Sequence, residues 1–381
     1  MSQPQAKIAS LEALRGLLAL WVVVCHVTSR IISDATIRNA HFQALLEPLI
    51  PVMVFMILSG FVIFALLQRE HPSYGAFVLR RFFRLAPLYF LVLIVAASMT
   101  GFELRTLDNL FWRNTHVTDS IKIHHETLDY FWQYFAAHAL LVQGMIPETW
   151  LADANFTFLS QGWSISLEWQ FYLLAPILFT LAVRRHYLLL ALAGAALLAL
   201  WSLNVPSIGF LPNQLGYFAV GIASFYAWRH AHLLAKVDSR LHDAGLLLCG
   251  GLIYLTVREP LPLLVWLVVL DVILVQRAGM RSLLTAVPSW ILERPLLQRL
   301  GEISYSVYLV HIPILYVVFR AVTKMNPHMG GWKFLAIALP LTVLATLAVA
   351  RLTYRWIEQP GIALGRALSK RWTRTPALPA Q

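Results

Sequence analysis

The chain has 381 residues, of which 59% are hydrophobic and only 13% are charged, and its formal net charge is +11. An ordinary soluble domain carries roughly 25% charged residues, so most helices of this chain would be apolar on every side and would need lipid around them. This composition excludes a disordered chain, a disulfide scaffold, collagen and a soluble nucleic-acid binder. Basic cytoplasmic loops are expected of a membrane protein, so the partner predicted from the charge is the lipid bilayer and not nucleic acid.

Stretches of about 17–25 mostly apolar residues are long enough to cross a bilayer as helices. The sequence therefore predicts an all-α, polytopic membrane helix bundle with about ten transmembrane helices. They are predicted near 10–29, 48–67, 85–101, 162–183, 186–203, 212–228, 243–257, 260–276, 302–321 and 334–354. The shorter apolar stretch 130–143 predicts an outer-face or re-entrant helix. A crossing there would invert the orientation of everything downstream.

The distribution of Lys and Arg sets the expected orientation. With the N-terminus inside and ten crossings, 19 of the 30 cations fall on the cytoplasmic side and nine on the outer side. This asymmetry predicts that both termini are cytoplasmic. We expect one domain over residues 1–381, with an outer loop segment at 102–161 and a basic cytoplasmic tail at 361–381 that lies on the anionic inner leaflet.

The first predicted span carries two ionisable side chains, Arg15 and His26, which are functional candidates by default inside a membrane. Eleven positions separate them, so they differ by only about 20° around a helix and by about 16 Å along it. This arrangement suits a long ligand with an anionic head near the cytoplasm and a reactive end within the membrane. The alternative is a snorkelling arginine and an interfacial histidine bonded to a neighbour.

Ser164, Glu168 and Tyr172 form one polar stripe at the start of a later span, because their spacing is i, i+4, i+8. A carboxylate there could orient an imidazole and stabilise its protonated form. The alternative is a helix cap in which Trp163 and Tyr172 are interfacial anchors.

A basic cytoplasmic run, Arg80–Pro87, precedes the apolar part of the third span. Its arginines, including Arg81 and Arg84, are typical of a positive-inside anchor. They also suit phosphate binding, because the guanidinium fork matches phosphate geometry. A nucleotide-bearing ligand would favour the second interpretation.

Two further groups lie near the C-terminal spans. Ser304, Tyr308 and His311 share a helix face, and His311 is interpreted first as a core histidine with satisfied hydrogen bonds. Arg355 and Glu358, followed by proline, are interpreted as an ion pair at a helix terminus.

Asp271 and Arg351 lie inside predicted spans and need partners, either each other or residues that the sequence does not identify. No Cys/His zinc spacing is present, so no metal is expected.

Together these stretches resemble the acyltransferase-3 family of bacterial membrane enzymes. The resemblance runs from about residue 8 to residue 361, and six motifs in the order of the family make it specific. They are Leu14–Gly16 through His26, Phe55–Phe61, Arg81–Pro87, Trp163–Glu168 with Phe171–Tyr172, Ile303–Tyr305 through Tyr308–His311, and Arg355–Pro360. Many members carry an extra extracytoplasmic hydrolase-like domain. We expect none after Pro360, so acceptor choice would rest on outer loops such as 102–161.

The resemblance implies an enzyme of the bacterial cytoplasmic (inner) membrane. It would move an acyl group, commonly acetyl, from cytoplasmic acyl-CoA to a hydroxyl of an extracytoplasmic acceptor such as a polysaccharide sugar. Acyl-CoA is then a donor substrate, and no cofactor is expected to be bound. A homo-oligomer is one of the assemblies that the sequence allows. The resemblance also marks Arg15 and His26 as functional positions and Arg81 and Arg84 as CoA contacts.

The mechanism expected from these residues has Arg15, Arg81 and Arg84 holding the CoA phosphates. His26, oriented by Glu168, acts as general base on the acceptor hydroxyl, or forms an acyl-histidine by nucleophilic catalysis. The predicted supporting residues are Ser164, Tyr172, Tyr308, His311 and Glu358. The alternatives are a transporter or flippase of an anionic or glycan substrate, and a non-catalytic partner of a polysaccharide assembly complex.

Overall fold

The computed structural model describes residues 8–32, 43 and 45–370, and within these residues the chain is helical, with no strand. In chain order the helices are α1 (Ala9–Ser29), α2 (Leu49–Glu70), α3 (Tyr74–Asp108), α4 (Thr115–Asp129), α5 (Phe131–Ala139), α6 (Gly162–Val183), α7 (Tyr187–Ser202), α8 (Leu211–Arg229), α9 (Ser239–Thr256), α10 (Leu261–Ala278), α11 (Ala286–Leu292), α12 (Pro295–Glu302), α13 (Ser304–Met325), α14 (Gly331–Thr353) and α15 (Gln359–Ser369). A 3-10 turn (Ala231–Lys236) follows α8, and a π-helical turn (Tyr354–Glu358) joins α14 to α15.

Seven helices of the described chain are long and apolar enough to cross a membrane. They are α1, α2, α3, α6, α10, α13 and the continuous helical run Gly331–Ser369. The other three predicted spans are also helices, but α7 has only 16 residues, and α8 and α9 are not among the seven. The all-helical membrane class is therefore confirmed, whereas the number ten and the side of each terminus stay predictions.

The apolar stretch at 130–143 forms α5, a helix of nine residues. A helix of that length spans only about 13 Å, whereas the hydrocarbon core of a bilayer is about 30 Å thick. α5 is therefore too short to cross. This length agrees with the prediction of an outer-face or re-entrant helix.

The chain divides into two compact units. The first comprises Met1–Val62, Gly216–Tyr308 and Gly331–Val343, and the second comprises Ile63–Leu215, Leu309–Gly330 and Leu344–Gln381. The prediction of one domain over the whole chain remains a prediction.

In the first unit, α1 packs against α10, α11 and α12, and its contact with α12 joins backbone to backbone. A Cβ atom added at Gly301 would lie 1.9 Å from the carbonyl oxygen of Glu12, and one added at Gly16 would lie 2.8 Å from the nitrogen of Gly301. Small residues at such crossings allow membrane helices to approach closely. This crossing fixes the turn of α1 that carries Arg15.

In the second unit, the 35-residue helix α3 is the central element, and α4, α5, α6 and α15 all contact it. α3 and α6 run antiparallel. The hydroxyl of Tyr74 donates to the carbonyl oxygen of Leu173 at 3.3 Å, and the rings of Phe82 and Trp169 meet edge to face at 5.8 Å. This register places the arginines of α3 beside the polar stripe of α6.

The helix terminus predicted before Pro360 is wrong, because the chain stays helical from Gly331 to Ser369. Pro360 lies in the first turn of α15, where a missing backbone N–H is tolerated, and the π-helical turn precedes it. α15 packs on α3 through Gly361, where an added Cβ would lie 2.8 Å from the carbonyl oxygen of Phe83. The first part of the predicted basic tail is thus a packed helix, and residues 371–381 lie outside the described residues.

Candidate functional site

Arg15 and His26 lie on one face of α1, as the sequence predicts, because the helix is unbroken from Ala9 to Ser29. Their separation along the helix is about 16 Å. The guanidinium of Arg15 lies 4.0 Å from the carboxylate of Glu12, one turn earlier. Its Nε atom is buried and has no hydrogen-bond partner among the described residues.

Arg30 is a neighbour of His26 that the sequence analysis missed, because Arg30 falls beyond the predicted first span. Its Nη1 atom lies 3.2 Å from Nδ1 of His26 and donates to the carbonyl oxygen of His26 at 3.1 Å. Arg30 is buried, with 6% of its surface exposed. Because a guanidinium has no acceptor, Nδ1 of His26 must be the acceptor, so a neutral ring carries its proton on Nε2. The i, i+4 spacing was the available signal.

In the second unit, α3 and α6 bring together residues from two of the predicted motifs. The guanidinium of Arg81 lies 5.5 Å from the ring centre of Tyr172 and 5.5 Å from that of Phe77. The hydroxyl of Tyr172 donates a hydrogen bond to the carboxylate of Glu168. Tyr172 therefore links a cation on α3 to a carboxylate one turn away on its own helix.

Glu358 brings a third motif to the same helix α3. Its carboxylate lies 3.9 Å from the guanidinium of Arg84, and its side chain is fully buried. The π-helical turn carries Glu358, and such turns occur frequently at functional sites. The sequence paired Glu358 with Arg355, whereas in the structure Arg355 packs over the ring of Trp356 at 5.4 Å.

We call Arg81, Arg84, Glu168, Tyr172 and Glu358 the arginine–carboxylate cluster. Two guanidinium groups and two carboxylates give it balanced formal charge, with Glu358 fully buried and Arg84 still 24% exposed. Arginines in such surroundings are suited to a phosphate, because the fork of N–H donors binds phosphate oxygens in pairs. The half-buried arginines of the cluster are therefore the donors that could meet an anionic group.

The other predicted supporting residues are Ser164, Tyr308 and His311. Ser164 donates within its own helix turn, to the carbonyl oxygen of Gln161 at 3.0 Å. Tyr308 is buried and meets Phe55 edge to face at 6.0 Å. His311 is fully buried, as expected of a core histidine.

A buried polar network that the sequence analysis missed holds the start of α6. The side-chain amide of Gln143 donates to the carbonyl oxygen of Gly162 at 3.0 Å and to the hydroxyl of Tyr89 at 3.1 Å. His138 lies between Tyr89 and the carbonyl oxygen of Ala154, at 3.2 and 3.1 Å. Burial lowers the pKa of His138 to about 4, so its ring is neutral at physiological pH.

Asp271, an ionisable residue inside α10, has its partner on α9. Nε2 of His242 lies 2.8 Å from Oδ1 of Asp271, and both side chains are nearly buried. The sequence indicated that Asp271 needs a partner but did not identify His242. In the part of the chain that the structure describes, no group of three or more His, Cys, Asp or Glu residues could hold a metal ion.

Comparisons with known proteins agree with the motifs. A family model described as an acyltransferase domain, acyltransferase-3, matches residues 8–351. The chain is 26% identical to acyltransferase MdmB of Streptomyces mycarofaciens over 393 residues, which cover 94% of this chain and 92% of that protein. It is 25% identical to peptidoglycan O-acetyltransferase OatA of Listeria monocytogenes serovar 1/2a over 384 residues, which cover 93% of this chain and 55% of OatA. No solved structure matches the chain. The chain belongs to the acyltransferase-3 family and is an acyltransferase enzyme.

Proposed function

We propose that this enzyme transfers an acyl group, expected to be acetyl, from cytoplasmic acyl-CoA to a hydroxyl of an extracytoplasmic acceptor. The expected acceptor is a sugar of a cell-surface or exported polysaccharide, and the expected location is the bacterial cytoplasmic membrane. The name of the relative OatA, a peptidoglycan O-acetyltransferase, supports a saccharide acceptor and an oxygen nucleophile. The observation that carries the proposal is the arginine–carboxylate cluster, in which residues of three predicted motifs meet on α3.

The donor is held by arginines in this proposal. Arg81 and Arg84 lie within the first third of α3 and bind the CoA phosphates, and Arg15 is the third arginine predicted to bind them. Glu358 keeps the guanidinium of Arg84 in place, because it faces that group at 3.9 Å from a buried position. The acyl end of the donor then points along α1 towards His26.

His26 takes the proton of the acceptor hydroxyl in this proposal. The hydroxyl oxygen attacks the thioester carbon and its proton passes to the imidazole. The carbon–sulfur bond then breaks, and the leaving CoA thiolate takes that proton from the imidazolium. In the structure, Nδ1 of His26 accepts a hydrogen bond from Arg30. Arg30 must therefore release Nδ1 before this nitrogen can take the proton. Glu168 stabilises the imidazolium. An acyl-histidine intermediate would use the same residues.

The test is the variant His26→Ala in the full chain, purified in detergent and supplied with acetyl-CoA and a peptidoglycan fragment. We expect the variant to insert and fold but to lose transfer, because general base catalysis contributes about 10²–10⁴-fold. Mass spectrometry of the ester and release of free CoA are the measurements. His186→Ala, at an exposed histidine, is the matched control and should transfer normally.

Two outcomes would contradict the proposal. Transfer at the wild-type rate by His26→Ala would remove this residue from the chemistry. A wild-type protein that moves glycan into vesicles without releasing CoA would favour the transporter.

A further inference from the structure

A groove of about 550 Å³ lies in the second unit, between the C-terminal ends of α2 and α6 and the start of α3. Its volume is within the range of roughly 300–1,000 Å³ typical of small-molecule sites. Apolar and aromatic side chains form most of its wall, together with one arginine at the rim. The lining includes Leu67, His71, Tyr74, Pro176, Phe179 and Arg184.

The groove continues the helix faces that carry the arginine–carboxylate cluster. On α3, Tyr74 precedes Phe77 by three residues and Arg81 by seven, so all three share one face. On α6, Phe179 follows Tyr172 by seven residues, again on one face. The axial distance from Arg81 to Tyr74 is about 10 Å, so the groove begins one nucleoside length from the predicted phosphate site.

We propose that this groove binds the adenosine 3′-phosphate end of the acyl-CoA donor. The inference rests on the proposed function. If Arg81 and Arg84 hold the pyrophosphate and the acyl end points into the membrane, the nucleoside must leave the arginines in the opposite direction. That direction leads along α3 and α6 to Tyr74 and Arg184.

The chemistry of the groove suits this occupant. The adenine ring is flat and apolar on its faces, which fits walls made of aliphatic and aromatic side chains. Arg184 is exposed at the rim and offers donors to the 3′-phosphate. The carboxylate beside the groove, Glu70, does not oppose a phosphate, because Arg69 and Arg80 bind it at 2.6 and 2.8 Å.

The experiment compares two donors on the full chain: acetyl-CoA and S-acetylpantetheine, which lacks the nucleotide. Thr180→Trp fills the groove from an exposed position on α6, and Arg184→Ala removes the charge at the rim. We expect each variant to raise KM for acetyl-CoA about tenfold at unchanged kcat, because the nucleotide binds far from the reacting atoms. Neither variant should change kcat/KM for S-acetylpantetheine.

Matched controls separate the groove from general damage. Arg185→Ala changes the neighbouring exposed arginine, which does not line the groove, and Thr118→Trp places the same bulky ring on exposed α4. Both controls should keep the wild-type KM for acetyl-CoA.

Three results would overturn the assignment of the groove. Unchanged KM for acetyl-CoA in both groove variants would overturn the groove assignment alone, as expected if a phospholipid chain fills it. Equal losses with both donors would also overturn it, because they would indicate a structural defect. Wild-type protein that turns over neither donor would overturn the proposed function and the groove assignment together.

Discussion

The imidazole of His26 receives a hydrogen bond at Nδ1 from Arg30, one helical turn further along α1. The same guanidinium also holds the backbone carbonyl of His26, so one buried side chain fixes both the ring and the helix end. Because an arginine only donates, this contact also fixes which ring nitrogen carries the proton. Arg30 is therefore a positioning residue for His26.

Replacing Arg30 should impair transfer without unfolding the protein. We expect Arg30→Ala to lower kcat about tenfold, because the His26 ring and its helix end lose the side chain that positions them before the proton transfer. Arg30→Lys should recover part of the rate, because it restores a cationic donor. Arg105→Ala, at an exposed arginine of α3, is the control. Unchanged kcat in Arg30→Ala would show that His26 needs no such support.

His138 makes the stability of the protein depend on pH. Burial lowers its pKa from the ordinary value of 6.5 to about 4. The unfolded chain therefore binds more protons than the folded one between these values. The neutral ring therefore contributes about 3 kcal/mol to the free energy of unfolding above pH 6.5. This contribution is lost as the pH falls towards 4.

Thermal unfolding of the purified protein, followed by tryptophan fluorescence at pH 7.5 and pH 5, measures this effect. We expect the Tm of the wild type to fall at pH 5, and the Tm of His138→Gln to fall less, although it starts lower. His186→Gln should follow the wild type. A fall of the same size in His138→Gln would assign the pH dependence to other groups.

At the scale of elements, the crossing of α1 and α12 depends on glycine. An alanine at Gly301 would place Cβ 1.9 Å from the carbonyl oxygen of Glu12, and backbone cannot move aside as a side chain can. The helices must separate, and overpacking of this kind costs about 1–3 kcal/mol or more. Because Glu12 and Gly16 flank Arg15, the predicted donor site on α1 would shift as well.

Gly301→Ala should therefore lower both Tm and the affinity for acetyl-CoA. Gly194→Ala on α7 is the matched control, because nothing lies within 4 Å of its added Cβ. In the control we expect a neutral effect or a gain of about 0.5–1 kcal/mol from the better helix former. If both variants behave alike, the close crossing does not stabilise the protein.

Helix ends were harder to predict than helix positions, for a physical reason. The apolar window 85–101 locates α3, but the helix itself runs from Tyr74 to Asp108, because hydrogen bonding within a helix continues past the apolar part. Likewise, Pro360 did not end the last helix, since proline is tolerated in a first turn. A stretch of apolar residues shows which part of a helix lies in lipid. It does not show where the hydrogen bonds of the helix end.

The candidate site was predictable residue by residue but not contact by contact. The sequence identified Glu168 by its place in a polar stripe at the start of a predicted span, Arg81 by its place in a basic cytoplasmic run, and Glu358 by its spacing from Arg355. Their partners depend on the register of α3 against α6 and on the π-helical turn, which helical periodicity does not contain. Arg30 was missed because the predicted span ended one residue before it.

At the scale of the whole molecule, the number of crossings determines which side each loop faces. If only the seven long apolar helices cross, five of them precede the loop 279–285, which then lies outside when the N-terminus is inside. If α7, α8 and α9 also cross, eight helices precede this loop and it lies inside. The basic residues at the end of α10 and in the segment between α10 and α13 favour the second arrangement. They are Arg277, Arg281, Arg294 and Arg299.

Cysteine labelling of intact cells decides between these arrangements. In a Cys249→Ser background, which removes the exposed native thiol while Cys25 is buried, Thr118→Cys should react with a membrane-impermeant maleimide. Arg281→Cys should react only after the cells are permeabilised, because ten crossings place it in the cytoplasm. Labelling of Arg281→Cys in intact cells would contradict ten crossings. It would put the four arginines on the outer face, against the charge asymmetry that orients membrane proteins, and the two termini on opposite sides.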